Sequence, residues 1–193
     1  MTPPERLLQD PEFTPLTRSR LTADLGQLGV HTGGVLMVHV RLSAFGWVAG
    51  GMDTVVQALR DTVGADGTLL AFCGWEDSPY HVAAWPAHWR RAYEEIPVFD
   101  PAVSSSRREF GWFPERLRTW PGALRSAHPE VSFAAVGPRA AWLLEGQRDQ
   151  DPFGADSPLA RLVATGGQVL LLGAPLQRLT LCHHAEALAR VAG

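Results

Sequence analysis

The densest group of chemically competent side chains is Thr180-Leu181-Cys182-His183-His184-Ala185-Glu186. On a helix, His183 and Glu186 stand three positions apart on one side. A carboxylate so placed orients an imidazole for general-base work. With Thr180 as the cap, His183 falls at the third helical position, where it faces a cleft. Spacing alone accounts equally well for a capped helix start with a solvated His pair. A metal site needs more ligands, since His-His-x-Glu is not the i, i+4 pair of a zinc helix; no metal is expected.

A second group begins at His39, which interrupts an apolar run and is followed by Arg41-Leu42-Ser43-Ala44-Phe45-Gly46-Trp47-Val48-Ala49-Gly50-Gly51. A glycine-containing loop that enters a helix leaves backbone N–H groups free, which suits a phosphate or pyrophosphate. Read alone, Gly50-Gly51 marks a turn, and His39 reads as a hydrogen-bonded core residue. Carboxylates including Glu76, Asp77, Glu109 and Asp149 fall in or beside long connections, where they suit a polycationic ligand or simply face solvent. Trp75, Trp85, Trp89, Trp112 and Trp120 either floor a sugar-binding cleft or pack. His128, held extended by Pro129, lines a cleft or ends a turn.

The elements that must position these groups show in the apolar pattern. Short apolar runs at 34–40, 68–72, 131–136 and 168–172 read as buried strands. Between the first two, Val55, Val56, Leu59 and Val63 recur at helical spacing before Gly64. Further helical patterns cover 21–28, 139–144, 158–164 and 181–191. Strands alternating with helices give an α/β domain whose mixed or largely parallel sheet is flanked by helices. In such sheets ligands gather at the carboxyl ends of strands, where both His39 and the 180–186 group fall. The segment from about Gly74 to Pro101, rich in Trp, Pro and charge, reads as a long excursion from this frame.

Bulk properties narrow the function. The 193 residues are 46% hydrophobic, enough to bury one core, so a single domain over 1–193 is expected, with 1–18 flexible. A net charge of -3 with acidic and basic residues mixed leaves no stripe for nucleic acid. Neither a signal peptide nor a membrane span is apparent, so no membrane partner and a cytoplasmic location are expected. Cys73 and Cys182 are too few and too far apart for a disulfide framework.

In order, several motifs resemble the aminoglycoside 3-N-acetyltransferase family: Val38-His39, Phe45-Gly46-Trp47-Val48-Ala49-Gly50-Gly51, Gly74-Trp75-Glu76-Asp77, Arg125-Ser126-Ala127-His128-Pro129, Gly173-Ala174-Pro175-Leu176 and the group from Thr180 to Glu186. The resemblance spans about Leu21 to Leu188. It implies acetyl transfer from acetyl-CoA to the 3-amino group of the deoxystreptamine ring, and hence antibiotic resistance. His183 is then the general base, Thr180 a hydrogen-bond donor to the oxyanion or leaving sulfur, and Glu186 a candidate orienting carboxylate. His39, Arg41, Leu42, Ser43, Ala44, Phe45, Gly46, Gly50, Gly51 and Thr180 would hold the cofactor. Trp75, Asp77, Glu109 and His128 would meet an aminoglycoside or other polyamine substrate.

The chain departs from the family at Arg41, usually Ser, and at Gln177, an Asp in close relatives. Family members also continue well past Glu186, with a glutamate that pairs with the catalytic His. The chain is therefore expected to lack the family's C-terminal part. Four readings follow: an aminoglycoside acetyltransferase, an acetyltransferase for another amine, a remnant that binds CoA or a partner without turnover, or a metal hydrolase using His183, His184 and Glu186, which would carry stoichiometric metal. A homodimer is left open.

Overall fold

A computed structural model of the protein describes residues 2–191; residues 1 and 192–193 lie outside the described part. In chain order the elements are α1 (Glu5–Leu8), α2 (Arg18–Gln27), β1 (Val35–Val40), α3 (Gly51–Val63), β2 (Thr68–Phe72), α4 (Ala87–Tyr93) and α5 (Arg107–Phe110). There follow α6 (Trp112–Arg118), β3 (Leu124–Arg125), β4 (Phe133–Val136), α7 (Ala140–Leu144), α8 (Pro158–Ala164), β5 (Gln168–Leu172) and α9 (Leu181–Val191).

The five strands form one sheet in the order β3-β4-β2-β1-β5. β1 runs parallel to both β2 and β5, whereas β4 is antiparallel to β2 and to β3. The sheet is thus mixed, with its parallel part where the apolar runs at 35–40, 68–72 and 168–172 meet. Alternate residues of a strand point to opposite faces, and the two sets build two cores. Leu36, Val38, Leu69, Ala71 and Val136 pack with α2, α3 and α6 through Leu25, Val56, Leu59 and Phe113. Val35, Met37, Leu70, Phe133 and Ala135 pack with α7 and α8 through Leu143, Leu159 and Leu162. Helices on both faces make a three-layer α/β fold, as the alternating pattern requires.

Two parts of the chain carry structure that periodicity did not reveal. The 74–101 excursion contains a 3-10 turn over Pro79–Ala84 and then α4. There Trp85 meets Trp89 and Tyr93 edge-on at 6.2 and 4.8 Å between ring centroids, a local aromatic cluster. α6 follows Gly111, whose φ of 93° lies in the left-handed region that favours glycine. It places Phe113 and Leu117, four apart, fully in the core.

Toward the amino end, Leu16 bridges to Val48, and Thr17 caps α2 by accepting from the Arg20 N–H. Arg18 and Asp61 tie α2 to α3 through two hydrogen bonds of 2.5 and 2.6 Å. Among the described residues no helix is long and apolar enough to cross a membrane. Cys73 is buried and Cys182 exposed, both as free thiols.

Candidate active site

The carboxyl ends of β1 and β5 lie side by side, with His39 paired to Leu171 and Val40 to Leu172. Past the strands the chains stay together, because the Arg41 N–H donates to the Leu172 carbonyl at 3.0 Å. Gly173, at φ 67°, allows this closeness: a Cβ there would stand 2.6 Å from Ala44 Cβ and 3.1 Å from the Arg41 carbonyl. From this junction one branch becomes the 3-10 turn Leu42–Ala44 and the other the 3-10 turn Leu176–Arg178, which leads into α9.

A cleft of about 830 Å³ opens above the junction. His39, Arg41, Leu42 and Ser43 line it from the β1 side, and Gln177, Arg178, Thr180 and His183 from the β5 side. The opposite lip is α5 and the first residue of α6, with Arg108, Glu109, Phe110 and Trp112. Trp112 is held by the Arg107 guanidinium, 3.6 Å above its ring. The volume is that of a site for a drug-sized ligand or cofactor. Arg41, Arg108 and Arg178 against Glu109 and Glu186 give the lining three fixed cations and two carboxylates. That balance suits a ligand with phosphate groups at least as well as a free polyamine.

His183 and Glu186 form the chemically poised pair. The ring Nδ1 lies 3.0 Å from Glu186 Oε2. As donor to a carboxylate, Nδ1 carries the proton of the neutral ring and leaves Nε2 as its basic atom. Phe153 sets the geometry of the helix start twice over. Its ring lies 5.0 Å from that of His183, and its carbonyl accepts from His184 Nδ1 at 2.6 Å. The adjacent histidines therefore diverge: His183 faces the cleft, while His184 is buried as a structural donor. Thr180, also buried, accepts through its carbonyl from the His183 N–H at 3.0 Å.

His39 is the opposite kind of imidazole. Burial lowers its pKa to about 4, because the charged ring would lose its hydration. Its Nε2 is buried with no partner among the described residues. Such an atom costs free energy until a ligand or water satisfies it, which marks the end of β1 as a place for a polar ligand group.

Of the other residues singled out by sequence, Glu109 and Trp112 line the cleft and the rest lie outside its lining. Ala44, Phe45 and Gly46 close the turn after β1. Gly50 and Gly51, at φ 81° and 62°, bring the loop into α3. Trp75 packs against Phe99 at 5.7 Å and is 8% exposed. Asp77 is paired with Arg108 at 2.7 Å. His128 has both ring nitrogens engaged: Nδ1 accepts from the N–H groups of Glu130 and Val131, and Nε2 donates to the Asp149 carbonyl. The sequence reading assigned no role to Arg108, Phe110 or Arg178. Only the fold brings 108–112 opposite 176–183, and no spacing signal announces it.

The chain is similar to known proteins over most of its length. Residues 37–193 match the family described as aminoglycoside 3-N-acetyltransferase. Aminoglycoside N(3)-acetyltransferase VIII of Streptomyces fradiae is 56% identical over 181 residues, which cover 93% of this chain and 63% of that protein. Aminoglycoside N(3)-acetyltransferase VII of Streptomyces paromomycinus is 54% identical over 181 residues, again 93% of this chain and 63% of the relative. The crystal structure of aminoglycoside acetyltransferase AAC(3)-Xa superposes with a TM-score of 0.88 at 50% identity, covering 95% of this chain and 65% of that one. The binary structure of AAC-IIIb with CoASH gives 0.83 at 46% identity, covering 91% and 66%. That of AAC-VIa bound to sisomicin gives 0.82 at 42%, covering 90% and 65%. The chain thus spans about 63% of the length of these curated relatives. In sequence and in fold, the chain belongs to the aminoglycoside 3-N-acetyltransferase family.

Proposed function

We propose that the protein transfers the acetyl group of acetyl-CoA to the 3-amino group of 2-deoxystreptamine aminoglycosides, in the cytoplasm, and so confers resistance to them. The observation that carries this reading is the His183–Glu186 pair at 3.0 Å in the lining of the cleft. His183 Nε2 accepts a proton from the acceptor amine as its nitrogen attacks the thioester carbonyl. The carbon–sulfur bond then breaks, and the CoA thiolate leaves with a proton returned by the imidazolium. Glu186 holds the ring in the tautomer that keeps Nε2 free and steadies its positive charge.

Arg41 and Arg178 supply charge for the phosphates of CoA, and Ser43 and Thr180 offer hydroxyls along the same wall. The unpartnered His39 Nε2 is available to a polar atom of the thioester arm. Acetylation turns a charged ammonium into a neutral amide and weakens the electrostatic hold of the drug on RNA. A similar protein binds CoASH and another binds sisomicin, which supports both substrate classes.

A second reading, CoA binding without turnover, draws on the exposure of the pair: the side chains of His183 and Glu186 are 54% and 60% exposed. A base so open to water gains less from its partner than a shielded one. Incubation with acetyl-CoA and kanamycin, followed by mass spectrometry and NMR of the product, separates the readings. A product heavier by one acetyl group on the 3-amine supports transfer. Bound CoA with unmodified drug supports the second.

A further inference from the structure

The α5 lip of the cleft sorts its carboxylates into two kinds. Arg108 lines the cleft, and its Nη2 lies 2.7 Å from Asp77 Oδ1 and 3.5 Å from Glu76 Oε1. The Arg108 backbone N–H also donates to Glu76 Oε2. Glu76 and Asp77 thus already have partners within the chain, the one guanidinium offsetting one of their two charges. Glu109, the next residue along and also in the lining, forms no ion pair among the described residues.

We propose that Arg108 determines acceptor specificity, because its guanidinium occupies Asp77 and stands where an ammonium group of the substrate would otherwise pair. The proposal rests on the amine-acceptor reading above. An acceptor at this lip must displace Arg108 from Asp77 or engage Glu109 alone, and each further ammonium is repelled by the guanidinium across a few ångströms. Acceptors with few positive charges on that side are favoured.

The surroundings make the contact displaceable. The side chains of Arg108 and Asp77 are 68% and 43% exposed, and a pair so open to solvent is weak. Glu76 differs, with a side chain only 11% exposed and a bond to backbone. The path of the loop therefore does not depend on the guanidinium. Arg108→Ala removes the charged end and keeps the N–H that holds Glu76.

Calorimetric titration of neamine, a small deoxystreptamine aminoglycoside, at low ionic strength into wild type, Arg108→Ala, Arg108→Lys, Asp77→Asn and the Arg108→Ala/Asp77→Asn double variant tests this. Arg108→Ala is expected to bind about fivefold more tightly than wild type, the most that an exposed pair of this kind ordinarily yields. The double variant loses that gain. Arg108→Lys, which keeps a cation, stays at wild-type affinity, and Asp77→Asn alone changes little. Unchanged or weaker binding by Arg108→Ala, or a gain that survives in the double variant, overturns the proposal while the aminoglycoside reading stands. Absence of neamine binding in all five proteins sinks that reading and this proposal with it.

Discussion

The two strands that end at the cleft are parallel neighbours, yet they hold their histidines in opposite ways. β1 is an inner strand: Val35, Leu36, Met37 and Val38 are at most 2% exposed, and its next-to-last residue is a half-buried imidazole whose buried Nε2 has no partner among the described residues. β5 is the edge strand, partly exposed at every residue, and it leads to a half-exposed imidazole with a carboxylate at 3.0 Å. In the proposed reaction the difference separates binding from proton transfer. With its pKa pushed down to about 4, His39 stays neutral through the physiological range and can only donate or accept a hydrogen bond. His183, open to the cleft and backed by Glu186, is the ring that the proposed reaction uses as its base.

The sharpest break between the two comes from His183→Ala. It should lower turnover by about 10²- to 10⁴-fold, the usual worth of a general base, while the urea midpoint stays close to wild type because the side chain is exposed. Stopped-time thiol assays beside urea unfolding give both numbers.

Next in size is a core contrast. Met37→Ala, at a fully buried position of β1, should cost about 2–5 kcal/mol of unfolding free energy. Leu171→Ala, one position from the end of the half-exposed β5, should cost clearly less. Equal losses in urea titrations would erase the distinction between centre and edge.

Acidification probes His39 itself. Its folded pKa lies below the ordinary value of 6.5, so between roughly pH 6.5 and 4 the unfolded chain binds a proton that the folded chain refuses, and stability falls as the pH falls. The loss should approach about 3 kcal/mol by pH 4. A His39→Gln variant should show a flatter curve across that window. Below it a second loss sets in. Burial raises the pKa of Glu115, but hydrogen bonds from Arg118 and the Ser106 N–H outweigh this and hold it below the usual value. The stability Glu115 contributes is therefore present above its unfolded pKa and disappears as the pH drops through the folded one.

The smallest effect should be that of Glu186→Gln, which keeps a hydrogen-bond acceptor for Nδ1 but removes the charge: about a tenfold drop in kcat with little change in KM for acetyl-CoA. Full turnover in that variant would reduce the pair to a surface contact.

Sequence alone revealed the side of the cleft built by the strands. The apolar runs at 34–40 and 68–72 are buried over most of their length on both faces, and that at 168–172 is as apolar although its strand is partly exposed, so the pattern is strong. Gly50-Gly51 and Thr180 announce the start of α3, beyond the loop that follows His39, and the start of α9, which carries His183. The other lip was illegible for physical reasons. α5 spans only Arg107–Phe110, and α6 has Pro114 inside its first turn, so neither shows a helical period long enough to read.

What anchors that lip is likewise non-local. Arg125 donates to the Cys73 carbonyl at 2.6 Å, to Ser132 Oγ at 3.0 Å and to the Ser104 carbonyl, tying the segment before α5 to the strand ends. These partners lie far apart in sequence. His128 shows the same limit, since its position before Pro129 suggested a cleft wall or a turn, and only the fold reveals that both ring nitrogens are taken by backbone groups.

The central claim is that a cleft at the ends of β1 and β5 carries acetyl transfer to an aminoglycoside amine. It is tested most directly by following free thiol release from acetyl-CoA with the purified protein, with and without a panel of deoxystreptamine aminoglycosides. The expected result is release that depends on the aminoglycoside and falls by about 10²- to 10⁴-fold in His183→Ala. A folded protein that binds CoA yet releases no thiol with any member of the panel would contradict it.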